Sequence, residues 1–406
     1  VPRLRHPQLV IPALWLCGPP GVGKTTVAWE LYTRAVLAGI PAAYVDIDQL
    51  GICYPEPAAD PGRHRMKARN LASVAAAFQA AGARRLIVSG VVDPVHGVPA
   101  DQVPRAAVTV CRLRAGRDEL RRRLLGRDGG AGQVEQALRE ADALDAADFA
   151  DLCVDTGGLS VPEVVRLVEE RTGAWPDPGP SDSPELDPPA SPELDPSASP
   201  DAILSAPSET VAAEFRGDPV LWLCGATGVG KSTVGFSLYL RLLRAGLAAA
   251  YVDLDQLGFH GPAPGDHRVK ARNLAALWST YRAAGAQALV VTGPAQDSAA
   301  VEPYADALPG ARLTLCRLHA GREELTRRIV RRGQGGAWAQ PGDPLLGRPR
   351  AYLLQVADEA VAAAAALEQA ALGDLRVPTD GRTAEQVTEA VLERVGWLGS
   401  PAGRPS

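Results

Sequence analysis

Short apolar runs recur along the first half of the chain, at residues 14–17, 43–45, 86–88, 108–113 and 152–154. Runs of this length without polar alternation read as strands buried on both faces. Between them apolar residues fall three and four apart, as in Val27, Leu31 and Ala35 before Gly39. That is the period of a helix with one buried face and a glycine stop. Alternating strands and helices predict an α/β fold, a parallel sheet covered by helices on both faces.

The second half repeats the first. LWLCGPPGVGKTTV (14–27) returns as LWLCGATGVGKSTV (221–234), and AAYVDIDQLG (42–51) as AAYVDLDQLG (249–258). HRMKARNLA (64–72) and TVCRLRAGRDEL (109–120) return as HRVKARNLA (267–275) and TLCRLHAGREEL (314–325). A unit this long is too large for a solenoid repeat, so two tandem domains are expected at 1–175 and 217–406, with pairing of the copies within the chain open to them. The intervening segment 176–216 is rich in proline and acids, with SPELDP at both Ser183 and Ser191. It reads as an extended, disordered tether, the alternative being a docking tail for a basic partner.

Composition narrows the classes. The 42 basic residues against 47 acidic ones give a net charge of −5, which argues against a general nucleic-acid binder or a polybasic membrane binder. The most apolar long stretch, 360–372, is broken by Glu368 and too short to span a bilayer. Arg3, Arg5 and His6 ahead of an apolar run imitate a signal peptide, but nearly the same run recurs at 220–224, so a strand is expected. The six cysteines show no Cys-x-x-Cys pair, which suggests a reduced, cytoplasmic protein without structural zinc.

Each copy carries one phosphate-binding pattern. Gly18, Gly21, Gly23, Lys24 and Thr25 match Gly225, Gly228, Gly230, Lys231 and Ser232, each set lying between an apolar strand and an amphipathic helix. The glycines let backbone N–H groups point at phosphate oxygens, the lysine reaches the β/γ-phosphates, and the hydroxyl binds Mg²⁺. Thr26 and Thr233 add a second hydroxyl at each helix start, where the positive end of the helix dipole favours anions. ATP and Mg²⁺ are the expected cofactors.

Asp46-Ile-Asp48 and Asp253-Leu-Asp255 end the second strand of each unit, at the edge of a sheet that faces ligand. Asp46 and Asp253 suit the metal side, Asp48 and Asp255 the proton of an attacking hydroxyl. Lysine and asparagine are scarce, at four and two residues, and the remaining ones head one helix in each copy. Arg65, Lys67 and Asn70, with Arg268, Lys270 and Asn273, therefore read as a cluster for a small anionic or polar acceptor. Arg123 and Arg328 are candidates for an arginine-bearing lid over the triphosphate, or for a solvated helix face. Prolines 341, 344 and 349 interrupt this region in the second copy, so its lid is expected to close differently and the first copy to be the main catalyst.

The combination resembles the small-molecule kinases among P-loop proteins, and adenylylsulfate kinases most closely, over 14–127 and again 221–332. The resemblance implies that Asp48 and Asp255 act as catalytic bases and that Arg65, Lys67 and Asn70 bind the acceptor. The family's Arg-x-x-Asn is here Lys67-Ala-Arg69-Asn70, and its Ser-Pro after the third strand is Val91-Val92-Asp93-Pro94. An ATP-dependent kinase of another small molecule is the expected function. The alternatives are a regulatory P-loop ATPase and a nucleotide-binding scaffold without turnover.

Overall fold

The computed structural model describes residues 10–126, 131–172, 217–261, 265–335 and 343–397. The tether at 176–216, Arg127 and Pro341 lie outside them. In the first copy β1 (Ile11–Cys17) leads through the glycine loop into α1 (Lys24–Leu37) and β2 (Ala42–Asp46). A 3-10 turn (Ile47–Gly51) and the two-residue strand β3 (Cys53–Tyr54) precede α2 (His64–Ala80). Then come β4 (Arg85–Ser89), β5 (Ala106–Arg114), α3 (Arg117–Leu125), α4 (Ala131–Asp145), β6 (Leu152–Asp155) and α5 (Val161–Arg171).

The second copy repeats this as β7 (Pro219–Cys224), α6 (Lys231–Arg244), β8 (Ala249–Asp253), a 3-10 turn (Leu254–Leu257) and α7 (His267–Ala283). It continues with β9 (Ala288–Thr292), α8 (Ser298–Ala307), β10 (Arg312–His319), α9 (Arg322–Gly333), α10 (Arg350–Gln369), β11 (Leu375–Pro378) and α11 (Ala384–Val395). The first sheet has the order β2-β4-β1-β5-β6, all parallel. The second has the same order from its own strands, β8-β9-β7-β10-β11. It also takes β3 of the first copy antiparallel on its β8 edge, which makes it mixed rather than purely parallel.

The fold is thus two P-loop α/β units in tandem. The central strands β1 and β7 are buried along nearly their whole length, as strands covered on both faces must be. The helices before the acceptor side start with aspartate caps placed differently in sequence. Asp266 accepts from the amides of Arg268 and Val269, whereas Asp60, farther upstream, accepts from those of Arg65 and Met66. The longer loop of the first copy is absorbed without losing the cap.

The copies meet along a seam that exchanges chain. Tyr251 N–H donates to Ile52 C=O at 2.8 Å, while Tyr44 N–H donates to Phe259 C=O at 2.8 Å and Gly261 N–H to Ala42 C=O at 2.9 Å. α2 packs on α7, and one apolar core holds Leu71, Val74 and Phe78 together with Leu274, Leu277 and Tyr281. The β2 edge of the first sheet and the β8 edge of the second are each covered by the other copy.

Candidate active site

The two glycine loops are the same to within a few degrees. Gly18, Gly21 and Gly23 have φ of 141°, 83° and 101°; Gly225, Gly228 and Gly230 have 138°, 81° and 101°. A Cβ on Gly18 would stand 2.3 Å from the Leu113 carbonyl oxygen, so the loop lies against β5 where only glycine fits. Lys24 and Lys231 open α1 and α6, and each folds back over its loop. Lys24 Nζ donates to Gly18 C=O at 2.7 Å and Pro19 C=O at 3.1 Å, and Lys231 Nζ to Gly225 C=O at 3.0 Å and Ala226 C=O at 3.1 Å. Burial lowers the Lys24 amine, and Asp48, Glu140 and Asp46 oppose that shift. Burial lowers Lys231 as well, opposed by Asp255 and Asp253.

The aspartates stand where the strand ends meet the loop. Asp46 is 8% and Asp253 5% exposed. Burial, with Asp48 second, pushes the Asp46 carboxyl up to about 7. In the second copy Ser232 Oγ donates to Asp253 Oδ2 at 2.9 Å, which joins the hydroxyl and carboxylate expected on the metal side. A buried carboxylate beside a helix-start hydroxyl is an all-oxygen donor set, suited to Mg²⁺ that completes its shell with phosphate and water. Among the described residues no cluster of three His, Cys, Asp or Glu side chains could hold a metal by itself. Thr26 and Thr233 lie exposed one position further along.

Asp48 and Asp255 are held from both ends. The Asp48 amide donates to Asp46 Oδ1 at 3.0 Å, and Lys67 Nζ lies 2.8 Å from Asp48 Oδ1. The second copy has the Asp255 amide on Asp253 at 3.1 Å and Lys270 Nζ on Asp255 at 3.3 Å. Asn70 and Asn273, both 0% exposed, donate to Leu50 C=O at 2.7 Å and Leu257 C=O at 2.9 Å.

The geometry therefore divides the expected acceptor cluster. Lys67 and Asn70 face inward as the helix period requires, but they hold the 3-10 turn that carries Asp48. Asn70 and Asn273 are fully buried, with no atom exposed at the surface. Arg65 is exposed and stands about 160° round α2 from Lys67, on the opposite face; Arg268 is exposed at the same place on α7. The first residue of each helix, a histidine in both copies, has a different setting in each. Burial lowers the His64 imidazole and Lys67 adds to that, while Asp93, Asp60 and Asp48 oppose it. Its counterpart His267 bonds Gln296 at 3.1 Å and the Tyr304 hydroxyl at 3.0 Å. Gly90, φ 141°, lets the chain after β4 pass close to this turn, since a Cβ there would lie 3.3 Å from Asp48 Oδ2. The signal for both was the recurrence of His and Gly in the two copies.

The arginines expected on a mobile lid are struts. Arg123 Nη1 donates to Val22 C=O and Thr156 Oγ1, both at 3.1 Å, and Nη2 to Thr156 C=O at 2.9 Å, while Nε meets Glu119 at 2.6 Å. Arg328 repeats every contact with Val229, Thr379 and Glu324. Each guanidinium thus ties the glycine loop to the turn after the last strand, and a side chain so fully bonded is neither a lid nor a solvated face. Thr156 and Thr379, the partners of these arginines, are buried at matching turns.

Beyond these the copies differ. Arg332 pairs with Asp343 at 2.7 Å in the insertion of the second copy. The ion pairs Arg117–Asp142 and Arg322–Asp358 align α4 with α10 and set Glu140 opposite Val356. Among the described residues Glu140 acts on Lys24 in the first copy, and an apolar valine stands at the equivalent position of the second.

A family model described as an AAA domain matches residues 14–144, which span β1 to most of α4. Among solved structures, a tunicamycin resistance protein from Deinococcus radiodurans is similar at 19% identity and TM-score 0.31, covering 45% of this chain and 99% of that one. A gluconokinase from Sinorhizobium meliloti 1021 is similar at 16% identity and TM-score 0.31, covering 46% and 94%. A shikimate kinase from Aquifex aeolicus vf5 is similar at 17% identity and TM-score 0.25, covering 43% and 95%. No curated protein matches the chain. The class that loop, strand order and family match define is the P-loop nucleotide-binding α/β domain.

Proposed function

We propose that the chain is an ATP-dependent phosphotransferase that moves the γ-phosphoryl group to a hydroxyl of a small molecule. The observation that carries this reading is the set of glycine-loop lysine, buried aspartate and lysine-held aspartate, present in both copies. Units at 1–175 and 217–406 joined by 176–216 belong to the same reading. So does a reducing, cytoplasmic setting, which suits thiols such as Cys17, pushed up to about 12 by burial.

The roles follow from placement. The glycine-loop amides and Lys24 take the phosphates, and Asp46 with Thr25 would hold Mg²⁺, as Asp253 with Ser232 would in the second copy. Held by these residues, Mg²⁺ would supply positive charge to offset the negative charge that develops during transfer. Asp48 accepts the proton of the attacking hydroxyl as the new O–P bond forms and the bond to ADP breaks. Lys67 and Asn70 keep Asp48 aimed.

A thermal-shift screen of the full chain with Mg-ATP and candidate acceptors tests this, followed by mass spectrometry of the product. The expected result is an acceptor that gains one phosphoryl group in the presence of the wild type. A variant lacking both Lys24 and Lys231 should leave it unmodified. Hydrolysis of ATP at one rate whatever the acceptor would favour the ATPase reading.

A further inference from the structure

The exchanged arms do more than close two sheet edges. Each begins at the turn that carries one copy's Asp-x-Asp pair and ends on the other copy's nucleotide-binding elements. Phe259 follows the second copy's turn after the single residue Gly258. Its ring lies 4.9 Å from Trp29, 6.5 Å from Tyr32 and 5.8 Å from Tyr44, centroid to centroid. Trp29 and Tyr32 belong to α1, which starts at Lys24, and Tyr44 to β2, which ends at Asp46. Ile52 is the counterpart of Phe259 and packs into the second copy's core, where Phe236, Tyr239 and Tyr251 repeat the same aromatic trio. Backbone bonds pin both arms, Tyr44 to Phe259 and Tyr251 to Ile52, at 2.8 Å each.

We infer that Phe259 is a positioning residue for the first copy's nucleotide site, and Ile52 for the second copy's. Each wedges a P-loop helix against an aspartate-bearing strand of the copy to which it does not belong. Neither side chain touches phosphate or metal. Each fixes the distance between a lysine and an aspartate that must act on the same phosphate group, and packed interfaces transmit such a shift rather than absorbing it. This rests on the proposal that both sites take Mg-ATP.

The test uses the full chain and calorimetry with Mg-ATP. In a Lys231→Ala background only the first site reports, and in Lys24→Ala only the second. Phe259→Ala is expected to weaken ATP binding about fivefold or more in the first background and to leave it unchanged in the second. Ile52→Ala should do the reverse. A graded series guards against a variant that fails to fold: Phe259→Val should show the same one-sided loss to a smaller degree, and Phe259→Leu near-normal affinity. Loss at the second site alone, equal loss at both, or no loss at either overturns the assignment. Absence of ATP binding in both backgrounds with the arms intact would instead strike the proposed function itself.

Discussion

Asp48→Asn, measured with the second site silenced by Lys231→Ala, is expected to slow phosphoryl transfer by about 10² to 10⁴. ATP affinity should stay close to that of the unsubstituted site, because a base acts on the transition state and not on bound nucleotide. The amide keeps an oxygen for Lys67 to donate to, which limits structural loss at a pair in which Asp48 is 41% and Lys67 6% exposed. Steady-state rates with the acceptor in excess, alongside calorimetry for ATP, separate the two effects. Normal turnover would make Asp48 a structural anchor for the 3-10 turn and move the base elsewhere.

The second large effect is on assembly. Residues 1–176 and 217–406, made separately, are expected not to persist as monomers. Each keeps a complete glycine loop and sheet, so nucleotide binding is expected to survive, but each exposes what the other now covers. The first would leave the edge of β2 unpaired and Phe78 and Leu71 without Leu274, Leu277 and Tyr281. Open edges and contiguous apolar faces recruit a further chain. Two identical copies can exchange arms as the two unlike copies do, so dimers are the expected species in sedimentation velocity. Stable monomers of either fragment would show that the seam contributes little.

Much of this architecture was legible because the repeat supplied two independent readings of each element. The expected strand at 14–17 became Ile11–Cys17 and that at 43–45 became Ala42–Asp46. Only the ends moved, where polar or proline residues hide the continuation of a strand. The helix period also turned Lys67 and Asn70 inward correctly. It could not say what they would meet, since Asp48 and Leu50 C=O are brought to them by the turn and not by any sequence spacing. Arg123 was misjudged for a similar reason, its partners Val22 and Thr156 being far away along the chain in opposite directions.

The arms were invisible. Cys53–Tyr54 is too short to show alternation, and an isolated apolar pair between a turn and a proline-containing loop reads as loop. Phe259 and His260 have the same character, and His260, 3% exposed, bridges to Ala43 and meets the Phe78 ring of the other copy. Such tertiary cover leaves no local pattern.

The most direct test of the account is the number of Mg-ATP molecules that the full chain binds as each lysine is removed. Calorimetry is expected to give two for the wild type, one for Lys24→Ala, one for Lys231→Ala and none for the double variant. A wild type that binds no ATP, or a double variant that binds as the wild type does, would contradict it.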